Sequence, residues 1–213
     1  MLTVGALDPR ALRARLGGPG LYLQTGAFST CLRCAIPSVA DAIGLLYADI
    51  NSFTSHCERL LSSPTRIAAL VDRWSRRVVE IIFEHGGTFD KMVGDCVIGL
   101  FGPPFFEDRR AQLAKAALDA ALEISEFTES LGREPGWSKW FDRKGEPGLG
   151  VGIGLNLCAA AVGAFGPRND YTAFSRGMNE TARLQGLAGF RETLITEAFY
   201  KALPIPRDRS RWR

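Results

Sequence analysis

The hydrophobic pattern of this chain turns on residues 88–101, TFDKMVGDCVIGLF. Two short apolar runs, Phe89 to Val93 and Cys96 to Phe101, hinge there on Gly94-Asp95. Glycine supplies the backbone freedom a tight turn needs, so the stretch predicts a β-hairpin with Asp95 at its tip and Lys91 on the incoming strand. Upstream, Ile43-Gly44-Leu45-Leu46-Tyr47-Ala48 predicts a strand over about 43–50, ended by Asp49 and followed by Ile50-Asn51-Ser52-Phe53-Thr54, which reads as a helix start. That helix spans about 52–62 and is closed by Pro64. Thr65 is a good N-cap for the next one, in which Ile67, Leu70, Val71, Trp74, Val78, Ile81 and Ile82 keep helical spacing until Gly86-Gly87.

Asp108 starts a third helix, with Leu113, Ala117, Ala121, Ile124 and Leu131 on one face and Gly132 at its end. Residues 133–148 are charged and rich in Gly and Pro; their Trp137, Trp140 and Phe141 predict an arm that packs on something, with a dimer clasp favoured over a partner site or an idle loop. The apolar runs 151–155 and 159–165 predict a second hairpin. A loop at 166–170 leads to Tyr171-Thr172, then a helix over 177–187, a strand over 193–196 and a closing helix to Leu203. The order β-α-α-β-β-α-β-β-α-β-α is that of an α+β sheet with helices on one face. Residues 1–40, without a clear period, form an N-terminal extension, 41–204 the domain, and 205–213 a basic tail.

Composition narrows the class. At 213 residues the chain is one domain with a real core, and 46% hydrophobic and 23% charged residues are ordinary for a globular protein. A net charge of +3 is too small to argue for nucleic acid, and Arg207, Arg209, Arg211 and Arg213 read as a solvated tail. Five cysteines make an odd set without a disulfide framework. The lone Cys31-x-x-Cys34 has no second pair to complete a zinc site, so the thiols fit a reducing cytoplasm. The first twenty residues lack the apolar core of a signal peptide. The run 149–165 is broken by Gly150, Gly152, Gly154, Asn156 and Gly163, which argues against a membrane span. His56 and His85 lack ligand partners at useful spacing and read as surface or cap residues.

A lone hairpin carboxylate is ordinarily a solvated turn residue, and an i,i+4 pair such as Asn179/Arg183 an exposed helix face. Two carboxylates at the ends of buried strands, Asp49 and Asp95, beside a helix start, suit a divalent metal and a phosphate. Taken together, YADINSFTSHCERL, FEHGGTFDKMVGDCVIGLFGPP and DYTAFSRGMNETARLQGL resemble, in order and spacing, the signature blocks of the class III nucleotidyl (adenylate/guanylate) cyclase catalytic domain, in its bacterial Lys/Thr type. The resemblance covers roughly residues 43 to 200.

It implies a ferredoxin-like antiparallel sheet with helices packed on it, and a head-to-tail homodimer with its sites at the interface. Two divalent ions, Mg2+ or Mn2+, would be held by Asp49, Asp95 and the backbone of Ile50. The chain from Ile50 to Thr54, including Phe53, would receive the triphosphate. Lys91 and Thr172 would select the base, a pair resembling the adenine-selective type. Asn179 would orient the ribose, Arg183 would stabilise charge at the α-phosphate, and Arg168 would contact the terminal phosphates. Asp49 and Asp95 would come from one subunit, with Lys91, Thr172, Asn179 and Arg183 from the other. The implied activity is conversion of ATP to cyclic AMP and pyrophosphate. The alternatives are a cyclase for guanine or pyrimidine nucleotides and a catalytically silent, nucleotide-binding regulatory domain. Four departures from the family pattern stand out: Ser175-Arg176, Cys158, Asn51-Ser52 and a short loop before Tyr171.

Overall fold

The computed structural model describes residues 38–58, 63–103, 109–142, 148–167 and 170–204. In chain order its elements are β1 (Ser38–Ile50), α1 (Phe53–His56), α2 (Pro64–Glu84), β2 (Thr88–Val93), β3 (Cys96–Phe101), α3 (Arg110–Arg133), α4 (Ser138–Phe141), β4 (Val151–Phe165), β5 (Asp170–Phe174), α5 (Arg176–Leu187), β6 (Thr193–Ile195) and α6 (Glu197–Ala202). The strands lie in the order β2-β3-β1-β4-β5, each antiparallel to its neighbour, and β6 joins β4 in parallel. This is the expected α+β arrangement of a mostly antiparallel sheet packed by helices.

Alternation along β1 sorts the core into two layers. Leu46, Ala48 and Ile50 face a cluster built with Trp74 and Ile82 of α2, Ala117 and Ile124 of α3 and Phe199 of α6. The Trp74 indole N–H, fully buried, donates to Thr128 Oγ1 at 2.9 Å, so the link between α2 and α3 leaves no polar group unpaired. Ile43, Leu45 and Tyr47 face the other way, against Ile98, Leu100, Val162, Tyr171 and Ala173. The sheet curls on this second side, and Asp90 of β2 comes to Thr172 of β5 although the two strands are at opposite edges.

The expected second hairpin is instead one strand, β4. Val151, Ile153, Leu155 and Leu157 feed the helix-side cluster, whereas Gly152, Gly154, Asn156 and Cys158 face α5. The glycines that read as turn signals are needed for close approach: a Cβ on Gly154 would lie 2.8 Å from the backbone N of Gln185. Helices therefore cover both faces of the sheet, not one, because α5 lies against the side away from α2 and α3.

Smaller differences have local causes. Ser63, not Thr65, is the N-cap of α2, and Pro64 opens that helix at a position where its missing N–H costs nothing. Only the first turn of the helix expected over 52–62 is seen; residues 59–62 lie outside the described ones, as do Cys31, Cys34, Asp108, most of the N-terminal extension and all of the basic tail. His56 is buried at 3% exposure, edge-on to Phe141, rather than on the surface. His85 caps α2 and pairs with Glu123 of α3. The arm with Trp137, Trp140 and Phe141 packs on its own domain: Phe141 is in the core, both tryptophans lie against it, and Trp140 is flanked by the cations of Arg66 and Lys139. No helix among the described residues is long and apolar enough to cross a membrane.

Candidate active site

Asp49 is the penultimate residue of β1, opposite Gly152 of β4, so its side chain lies on the α5 side of the sheet. Asp95 follows Gly94, whose φ of 64° makes the two-residue turn between β2 and β3. The turn returns the chain to the end of β1, where the Ile50 N–H donates to Asp95 Oδ2 at 3.2 Å. Asp49 and Asp95 then stand side by side, carboxyl to carboxyl.

Burial first, and the neighbouring Asp95 charge second, push Asp49 up to about 7. Burial raises Asp95 also, against the opposing pull of its contact with Asp49 and of the Ile50 N–H. Two buried carboxyls in contact resist both being charged without a proton or a cation between them. Their all-oxygen donors, with the adjacent Ile50 carbonyl, fit a hard divalent ion. Among the described residues no group of three or more His, Cys, Asp and Glu side chains gathers anywhere, so this site offers two carboxyls and backbone oxygen only.

Gln185 of α5 reaches into this end of the sheet: its amide donates to the Gly152 carbonyl at 3.3 Å and favours the charged form of Asp49. Asn51 ties the same region to the loop after α5, donating to the Gly189 carbonyl at 3.3 Å and accepting from the Arg191 N–H at 3.0 Å. Its neighbour Ser52 takes the left-handed conformation, φ 55° and ψ 30°, as the chain turns into Phe53 and Thr54 of α1.

Asn179 and Arg183 are exposed on α5. Gly177 and Thr181 are buried against the sheet. Helical geometry sets Gln185 opposite Asn179 and Arg183, so those two project away from the carboxyl pair of their own chain. The structure thus brings Asp49 to Asp95 and leaves Asn179/Arg183 on a separate surface.

Lys91 and Thr172 do come together, through Asp90. The register of β2 on β3 shifts between Phe89 and Lys91, leaving Asp90 as the extra residue of a β-bulge. Phe89 and Met92 both pack on the helix side, so Asp90 and Lys91 share the opposite face, toward Thr172 of β5. Lys91 Nζ lies 3.6 Å from Asp90 Oδ2, the lysine half exposed and the aspartate side chain 1% exposed. Arg168 lies outside the described residues.

Asp90 and Gln185 were not among the residues singled out from the sequence, and Asn51 was singled out only as a departure from the family pattern beside the phosphates. Asp90 left one signal there, an acidic residue inside an apolar run; Gln185 left none, and the partners of Asn51 come only from the loop after α5.

Residues 37–211 match the family described as the Adenylate and Guanylate cyclase catalytic domain. The chain belongs to that family. An adenylate cyclase of Anabaena cylindrica is 27% identical to this cyclase-family chain over 169 residues, which are 77% of it and 31% of the Anabaena protein. The fold is similar to that of the adenylyl cyclase CyaB from P. aeruginosa, with a TM-score of 0.68 and 27% identity over 78% of this chain and 82% of that one. It is similar also to the guanylate cyclase domain of RhGC from Catenaria anguillulae, solved with GTP, with a TM-score of 0.62 and 20% identity over 78% and 83% of the two chains. Adenylyl and guanylyl enzymes thus share this domain's architecture, and the base is a matter for its side chains.

Proposed function

We propose that this domain is an adenylate cyclase of the Lys/Thr type, which converts ATP to 3′,5′-cyclic AMP and pyrophosphate at sites shared by two copies of the chain. The observation that carries this reading is the contact between the Asp49 and Asp95 carboxyls, which would make a cation site at the end of β1 and the turn of the hairpin. Asp49, Asp95 and the Ile50 carbonyl would hold divalent ions, Mg2+ or Mn2+, which in such sites make a hydroxyl a better nucleophile and balance charge on a leaving group.

The remaining roles belong to the chain. The backbone from Ile50 to Thr54, with Phe53 and Thr54, receives the triphosphate, and Arg168 meets its far end. Lys91 donates to adenine N1, and Thr172 accepts from the 6-amino group. Asn179 orients the ribose so that the 3′-hydroxyl faces the α-phosphate, and positioning of this kind can contribute on the order of 7 kcal/mol. Arg183, whose guanidinium keeps its charge and meets two phosphate oxygens at once, balances the charge that develops at the α-phosphate as the 3′ O–P bond forms and the bond to pyrophosphate breaks.

The outward aim of Asn179 and Arg183 supports a second copy as the source of the missing half-site. So do the exposed apolar side chains Val93, Phe174 and Leu187, on β2, β5 and α5, the elements that carry site residues. The free thiols of Cys57, Cys96 and Cys158 accord with a reducing cytoplasm.

Incubating the purified chain with each of the four nucleoside triphosphates and Mn2+, with products identified by mass, tests the reading. Cyclic AMP as the dominant product supports it. Another cyclic nucleotide moves the base assignment, and no cyclic product under any condition leaves a silent, nucleotide-binding domain.

A further inference from the structure

Asp90 has no part in the reaction as set out above, yet it is held in a costly state. Its side chain is 1% exposed, and its carboxylate oxygens make no hydrogen bond of full geometry, although the Thr172 hydroxyl and Lys91 come close enough to favour the charged form. The Thr172 hydroxyl, on a residue 6% exposed, has no other partner of good geometry. A buried polar group without a partner of good geometry is uncommon in a folded protein, and here two of them face each other from β2 and β5. Among the described residues the cation paired with it is Lys91, whose Nζ lies 3.6 Å from Asp90 Oδ2. The β-bulge that turns Asp90 and Lys91 to one face is what makes the group. Burial raises the Asp90 carboxyl, and among the groups that favour its charged form the Thr172 hydroxyl comes first, ahead of Lys91.

A threonine hydroxyl can donate or accept, and nothing in the residue itself decides which. An ionised carboxylate can only accept. A hydroxyl beside it turns its proton toward the carboxylate and keeps its lone pairs for whatever lies on the other side. We infer that Asp90 is a specificity-determining positioning residue of the base subsite: by accepting the Thr172 proton it fixes Thr172 as a hydrogen-bond acceptor, with Lys91 held beside it as the donor. The pair then matches a 6-amino purine, which offers a donor at position 6 and an acceptor at N1. It mismatches a 6-oxo purine, whose pattern at those two atoms is reversed.

This inference rests on the adenylate cyclase reading. The test compares kcat/KM for ATP and for ITP, which carries the 6-oxo pattern without guanine's 2-amino group. Wild type is measured first: if it makes no cyclic AMP, or prefers ITP, the reading itself fails before any variant is made. With that reading intact, Asp90→Asn, whose amide can donate to Thr172 and turn its hydroxyl toward the base as a donor, should lower the ATP:ITP ratio about 10-fold or more. Asp90→Ala, which leaves the hydroxyl free to turn, should lower it in the same direction. Thr172→Val should lower the ratio too, and adding Asp90→Asn to Thr172→Val should lower it no further, because Asp90 acts through that hydroxyl. A ratio unchanged in both Asp90 variants, with the two substrates slowed alike, would show a merely structural role and overturn the inference. So would independent, multiplying effects in the double variant. Both Asp90 variants remove a buried carboxyl, and thermal melts run alongside verify that they fold.

Discussion

Cys158 Sγ lies 3.4 Å from Ser175 Oγ, so two of the positions at which this chain departs from the family pattern are in contact. Ser175 is also the N-cap of α5, its hydroxyl accepting from the Met178 N–H at 3.2 Å. Between them stands Gly177, where a Cβ would come within 2.3 Å of Cys158 Sγ. The cysteine on β4 thus fills space at the start of the helix that carries Asn179 and Arg183, and Gly177 is the residue small enough to admit it.

A coupled effect follows. Gly177→Ala alone should destabilise the domain by about 1–3 kcal/mol, the usual cost of overpacking. Shortening the thiol in the same chain, Cys158→Gly with Gly177→Ala, should recover most of that loss. Urea melts of the two single variants and the double variant measure it; losses that simply add would show that the two side chains do not compete for one space.

Ser52 sits in the left-handed region, φ 55° and ψ 30°, at the turn into α1, and its side chain makes no capping bond to that helix. Glycine takes this conformation without the steric penalty a Cβ brings. Ser52→Gly should therefore stabilise the fold by about 1 kcal/mol, seen as a rise in Tm of about 2–4 °C. A drop in Tm would mean that the serine has a compensating role.

The hairpin at β2 and β3 was legible because its signal is local: Gly94-Asp95 makes a turn whatever the rest of the chain does. With it came the positions of Asp95 and Lys91, and from the adjoining run that of Asp49. β4 was misread for the opposite reason. Its alternation of Val151, Ile153, Leu155 and Leu157 with Gly152, Gly154, Asn156 and Cys158 is a strand pattern of period two, but glycine also marks turns. Only the approach of Gln185 to Gly154 shows which use applies. Asp90 was missed because a bulge depends on the register of a neighbouring strand. His56 and the Trp137/Trp140 arm were misplaced because each finds its cover on the other, far along the chain, through Phe141.

The carboxyl pair makes stability depend on pH in a definite direction. Asp49 is raised to about 7 by burial and then by the Asp95 charge, so the folded chain holds this proton more tightly than the unfolded one. The stabilisation is complete below the ordinary carboxylate value near ~4 and is lost as pH rises through the folded value. Without divalent ions, Asp49→Asn should therefore gain in Tm relative to wild type as pH is raised from about 5 to about 8. Mn2+ added to wild type at the upper end should raise its Tm, and EDTA should reverse the rise, because an ion that binds only the folded pair stabilises it. A Tm difference that is flat with pH, or a wild type indifferent to Mn2+, would contradict the shared-proton description of Asp49 and Asp95.

The most direct test mixes two inactive proteins. Asp49→Ala removes the cation half-site and Arg183→Ala the half-site on α5, so each homodimer should make no cyclic AMP. Mixed in equal amounts and allowed to exchange, they should regain about a quarter of wild-type activity, since half of the two-fold dimers then pair unlike chains and each of those has one intact site. A mixture that forms mixed dimers and stays inactive would contradict a site built by two copies of this chain.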